Sequence, residues 1–245
     1  ADAVAQARRT GQAVEIVARR TATTEVYANP TGSYTLKLHA QPAGLRSDDP
    51  PPVTAVNNYN WTHINQTFPN TSYWTAERNQ AKVGYSGFST QKSVWRSFFL
   101  FDVPAELAGA QIVNGTFSIT LDNSATCRPT GVLLYGTANV SSAAPVTWNN
   151  SSSDATWNTP IGMRFGNAGQ VGCNQLDMAM SWSSDSMPAL RSQLQAAANG
   201  ALGSQMTFGL RAVNETDMMQ WMLFYPWSAA FVIEYNPAPN APAGL

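Results

Sequence analysis

The chain has 245 residues, with 14 Lys and Arg against 15 Asp and Glu and a formal net charge of −1. Charged residues make up 12 % of it, about half the ~25 % of an ordinary soluble domain, and Asn, Ser, Thr and Gln take their place. This composition argues against a basic nucleic-acid-binding surface and a Glu/Lys-rich coiled coil. The lack of an apolar run of about 18 residues argues against a helix inserted in a membrane.

Residues 1–10 are Ala-rich and end at Gly11, which predicts a short helix with a glycine stop. No charged and apolar leader precedes them, so the chain reads as a mature or excised piece. Thr24–Ala28 and Ser33–His39 flank Asn29-Pro30-Thr31-Gly32, a β-hairpin signal. In the second arm Tyr34, Leu36 and Leu38 share one face. Ser47-Asp48-Asp49-Pro50-Pro51-Pro52 then reads as a linker, separating an N-terminal arm (1–46) from the main body (53–236). A Pro-rich linker (237–245) follows, with further domains expected beyond it.

The body predicts short strands near 53–58, 61–66, 80–85, 94–103, 111–121, 130–138, 174–180, 204–213, 220–225 and 228–235. Many short strands with polar turns imply an all-β sandwich or barrel. Val94–Phe101 is apolar on both faces and should be a central strand covered on both sides. One helix interrupts the pattern. Asp185-Ser186 can cap it, Pro188 opens it, Gly200 ends it, and Leu190, Leu194 and Ala197/Ala198 give it one apolar stripe.

Cys127 and Cys173 lie 46 positions apart in polar, loop-like settings. That context predicts one disulfide and an oxidising, extracellular compartment; the alternative is a pair of buried thiols. Two histidines, His39 and His63, supply neither metal-ligand spacing nor a nucleophile partner. No catalytic residue is assigned. The carboxylates to weigh are Asp102, Asp122, Asp154, Asp177, Glu215 and Asp217. Glu215 and Asp217 share one turn, readable as an acid–base pair, a structural Ca2+ loop or a solvated turn.

The tryptophans carry more. Eight occur, and Trp74, Trp148, Trp157 and Trp182 sit in polar stretches. Flat indoles among amide and hydroxyl groups suit sugar rings, although each could also plug a sandwich end. Arg96 sits mid-strand with Val94, Phe98 and Leu100, so it is either paired structurally or grips an acidic sugar. Eight N-x-S/T sequons, at Asn60, Asn65, Asn70, Asn114, Asn139, Asn149, Asn150 and Asn214, matter only where the host glycosylates.

Several motifs in order resemble one family: Tyr59–Trp61 with Phe68–Trp74, Ala81–Tyr85, Trp95–Asp102, Leu107–Ile112, Cys127–Pro129, Thr147–Asn149 and Phe208–Ala212. Over roughly 55–236 the chain resembles a DNRLRE domain, a family related to alginate-type carbohydrate-binding modules. The arm is similar to segments of very large secreted actinobacterial proteins that carry Rhs/YD repeats, toxin-like or adhesive modules. The resemblance implies a jelly-roll-like β-sandwich, non-catalytic and secreted or at the cell surface, with a glycan or cell-wall polysaccharide as partner. Its basic residues would be Lys82, Arg96 and Arg211, and the ligand-binding set expected from strands and tryptophans is Lys82, Tyr85, Trp95, Arg96, Trp148, Arg211 and Trp221. The rival readings are a structural spacer between other domains of the parent protein and a polysaccharide lyase or hydrolase.

Overall fold

The computed structural model describes residues 3–15, 24–39, 60–74, 80–87, 92–170 and 173–238. In chain order the elements are α1 (Ala3–Thr10), β1 (Val14–Glu15), β2 (Thr24–Ala28), β3 (Tyr34–His39), β4 (Trp61–Asn65), β5 (Ala81–Ser86), β6 (Ser93–Asp102), β7 (Gln111–Ser124) and β8 (Thr130–Thr137). Then come α2 (Trp148–Ser151), β9 (Thr159–Gly166), β10 (Met178–Ser183), α3 (Pro188–Ala198), β11 (Gln205–Ala212) and β12 (Met222–Asn236).

The strands form one antiparallel sheet that curls into two layers, the expected all-β, jelly-roll-like sandwich. The first layer runs β1-β2-β3-β12-β7-β10. The second runs β4-β6-β11-β8-β9. β5 joins them, pairing with β12 at Ala81–Val83 and with β6 at Gly84–Ser86. Gly84, where the partner changes, has φ +90°, and a Cβ there would collide with the Gln220 carbonyl. Only glycine fits that crossing.

Period-two alternation builds the core. On β7, Phe117, Ile119 and Leu121 are buried while Thr116, Ser118 and Thr120 face outward, half-buried. Phe101, Phe117, Phe208 and Phe231 meet edge to face or offset, with Phe208 and Phe231 centroids 4.7 Å apart. Burying each contributes about 2–3 kcal/mol. Helix α3 lays Leu190, Leu194, Ala197 and Ala198 into this core, and Leu194 fills the space left by Gly115 on β7.

β6 is covered on both faces as expected. Its second face, Phe98 and Leu100, packs with Ile64, Val140, Val146 and Trp157 beneath the connection from β8 to β9. Gly209 makes this packing fit, because a Cβ there would lie 2.5 Å from the Trp157 ring.

The hairpin β2–β3 forms, and Tyr34, Leu36 and Leu38 face inward together. β3 pairs along β12 from Tyr34↔Tyr235 to His39↔Ala230, so the hairpin is continuous with the first layer. The linker at 47–52 and the strand expected at 53–58 lie outside the described residues, as does most of the 237–245 tail.

Four local expectations change. Strand β9 carries its exposed apolar residues Met163 and Phe165 outward, so its alternation does not read as a half-buried strand. β10 starts at Met178, not 174, and runs to Ser183. Trp182 therefore lies in a strand, fully buried, with Nε1–H donating to the Gly162 carbonyl at 3.0 Å. The two strands near 220–225 and 228–235 are one, β12, broken only by a bulge. Helix α3 is capped by Met187 without a side-chain bond, because Ser186 and Asp185 lie one and two residues before the cap position. Pro188 does open it, and Gly200 (φ +78°) follows its end.

Candidate functional site

Three of the seven expected ligand-binding residues meet on the outer face of the second layer. Arg96 on β6 donates through Nε and Nη2 to both oxygens of Glu215 (2.8 and 2.7 Å). Its Nη1 donates to the Ser152 carbonyl at 2.7 Å. The guanidinium lies between the rings of Trp148 (5.0 Å) and Trp157 (5.3 Å). Arg211 on β11 stands 3.9 Å from the same carboxylate and over the ring of Tyr135. A buried arginine requires such a partner. The bidentate fork and the two indole faces use up the geometry an acidic sugar would need. Trp148 serves as a lid on Arg96.

Lys82 and Trp95 form a second group, with Lys82 Nζ 4.5 Å above the Trp95 ring. Trp95 packs edge-on against His63 and Tyr73. Burial, and then the charge of Lys82, lower the His63 pKa to about 3, so this imidazole is neutral. Tyr85 sits opposite Val94, on the Arg96 side of β6. Trp221 is half-buried, and its carbonyl accepts from the Ala125 N–H. The seven residues are thus distributed over several places and do not form one surface.

Glu215 and Asp217 have separate tasks. Glu215 holds the two arginines, and Asp217 Oδ1 accepts from the Met219 N–H at 2.9 Å, capping a 3-10 turn. Among the described residues no three His, Cys, Asp or Glu side chains converge on a metal-sized space.

A different cluster appears on the outer face of the first layer. β12 bulges between Tyr225 and Ala230. Pro226 lies in the bulge and cannot donate a ladder bond. Ser228 repairs the gap: the Thr120 N–H donates to its Oγ (2.8 Å), and that hydroxyl donates to the Tyr225 carbonyl (2.6 Å). The extra residues bring Trp227 over Tyr225, with rings stacked at 4.7 Å and 25°. Both are half-buried. Trp227 Nε1–H finds no acceptor.

Asp122, from the end of β7, and Asp177, just before β10, flank the Tyr225 hydroxyl. Burial, with hydrogen bonds to both carboxylates and their charges, raises the Tyr225 pKa above its ordinary value. Gln80 Nε2 donates to Asp122 Oδ2 at 2.9 Å. The disulfide Cys127–Cys173 positions this end of the layer. It ties the turn after β7 to the loop that delivers Asp177. Beside it the Ser124 N–H donates to the Ala168 carbonyl and the Ala168 N–H to Ser124 Oγ, and Gly169 (φ +73°) packs directly on Asp122 and Asn123. Beyond the aromatic pair, Thr116, Ser118, Thr120, Ala179 and Ser181 make a low, polar strip across β7 and β10.

Sequence reasoning named Asp122 and Asp177 among six carboxylates but missed Tyr225 and Trp227. The available signal was Pro226 between two aromatic residues within a strand pattern, a bulge signature. The arrangement offers a π surface, acceptors and a donor around one spot. The disulfide fits an oxidising compartment.

No family model matches the chain, and no curated protein matches it. Among solved structures, it is similar to the K1 cleaved adhesin domain of Lys-gingipain from Porphyromonas gingivalis W83. The identity is 10 %, the coverage 81 % of this chain and 96 % of that one, and the TM-score 0.32. The K3 cleaved adhesin domain of the same protein matches at 10 % identity, with 71 % and 91 % coverage and a TM-score of 0.33.

Proposed function

We propose that the chain is a non-catalytic, extracellular module that holds a cell-surface or cell-wall glycan on the outer face of its first layer. The observation that carries this is the Tyr225–Trp227 stack beside Asp122, Asp177 and Gln80. An indole ring supplies area for sugar C–H faces, and the carboxylates and amide supply partners for hydroxyls. The flat Thr/Ser strip extends the surface for further sugar units. The kinship with DNRLRE and alginate-type modules belongs to the same proposal, with the binding face moved from the arginine strands to β12.

Affinity electrophoresis through a panel of neutral and charged polysaccharides tests it. At least one should retard the wild-type chain. Trp227→Ala should abolish the retardation, and Trp148→Ala should leave it. Free migration in every gel, or equal loss in both variants, overturns the proposal.

One observation favours the second reading, a packing module between other domains of the parent protein. Phe165, Val213 and Met163 are 55, 45 and 38 % exposed and gather around Gly131 on the second layer. An apolar group of this kind marks a contact surface. Under that reading, Phe165→Ser changes domain association and no glycan retards the chain.

A further inference from the structure

We infer that the Tyr225–Trp227 face selects sugars bearing a free amino group over neutral and acidic ones; this rests on the glycan-binding reading above. Two carboxylates, Asp122 and Asp177, are brought beside Tyr225 by the strand register: β10 meets β7 at Met178↔Leu121, next to both aspartates, and Tyr225 pairs with Thr120. Neither is paired with a lysine or arginine among the described residues. Elsewhere on this protein arginine and glutamate pair closely, as at Arg96–Glu215. The two carboxylates at the aromatic pair instead stand with Tyr225 and Gln80, both neutral donors. Hydrogen bonds of that kind orient a carboxylate without cancelling its charge.

A stacked indole and phenol next to uncompensated negative charge is favourable for a cation. The ring face attracts an ammonium group through its quadrupole, and the carboxylates attract it by charge and accept its hydrogens. The same charges repel uronate, sulfate and phosphate groups. The set therefore recognises a ring that carries an amine. A glycan of 2-amino-2-deoxy sugars has that chemistry, and its N-acetylated form has lost the charge while keeping the ring.

The test is isothermal titration of the whole chain with glucosamine oligosaccharides and with the same oligosaccharides after N-acetylation, alongside an alginate oligosaccharide of equal length. The amine form should bind at least about tenfold more tightly than the acetylated form, a factor that one good ionic contact supplies. Alginate should bind least. Asp177→Asn, at an exposed position, should remove most of the difference between the two forms. Trp227→Ala should weaken both. Equal binding of the two forms overturns the selectivity while leaving the glycan reading standing. Undiminished preference in Asp177→Asn together with Asp122→Asn, with unchanged thermal unfolding, also overturns it, because the preference then comes from elsewhere. Binding of none of the three overturns the selectivity, and the polysaccharide gels decide the glycan reading separately.

Discussion

Arg96 shows how one side chain is committed by its neighbours. It is nearly buried, and its charge is answered by Glu215, a carbonyl and two indole faces. Removing one partner leaves a buried charge unpaired, which costs about 3–5 kcal/mol. Glu215→Ala should therefore lower the stability measured by urea unfolding by roughly that amount, whereas replacing both residues with apolar ones should cost less. A loss below about 1 kcal/mol would mean that the pair behaves as a surface contact. His63 gives the pH dependence. Its folded pKa is about 3, against about 6.5 in an unfolded chain. Between those values the unfolded state binds the extra proton, so stability rises with pH there and levels off above 6.5. Acidification from pH 6.5 should lower the thermal midpoint steadily, and His63→Phe should flatten that slope. A slope unchanged in the variant would assign the effect to other groups.

At the scale of elements, β12 and the disulfide loop together make the candidate site. The bulge displays Trp227, and the Cys127–Cys173 bridge brings the start of β10 beside the end of β7. Cutting that bridge costs about 4 kcal/mol on the chain-entropy account and releases the segment carrying Asp177. Cys127→Ser with Cys173→Ser should lower the denaturation midpoint and weaken glycan binding together. Weakened stability with full binding would separate the loop from the site. The hairpin, α3, the disulfide and the doubly covered β6 were legible in the sequence, because each rests on a local pattern: alternation, a 3.6-residue stripe, polar cysteine surroundings, a continuous apolar run. β9 and the length of β10 were not. Their faces are set by which strand they meet across the sheet, and Met163 and Phe165 point away from the core. The Arg96–Glu215 cluster was half legible: Arg96 demanded a partner, but only the fold brings Glu215, 119 positions away, to it. Tyr225 read as the end of one strand and Trp227 as part of the break before the next, because alternation carries no information about a bulge that long-range pairing imposes.

On the scale of the whole molecule, low charge is a property of both outer faces, used differently on each. The second layer spends its charges inside a closed aromatic knot and exposes an apolar group around Phe165. The first layer exposes small hydroxyls and keeps two carboxylates beside a stacked aromatic pair. The edges of the two layers are tied where Arg164 on β9 donates to the Ser181 carbonyl of β10 at 2.7 Å. That contact blunts free strand edges, which favours side-chain recognition on a face over strand addition. The most direct test of this division is affinity electrophoresis of the wild type, Trp227→Ala and Trp148→Ala in one glycan gel. Binding on the first layer predicts retardation of the wild type and Trp148→Ala with free migration of Trp227→Ala. Retardation lost in Trp148→Ala and kept in Trp227→Ala would contradict it and place the ligand on the arginine face.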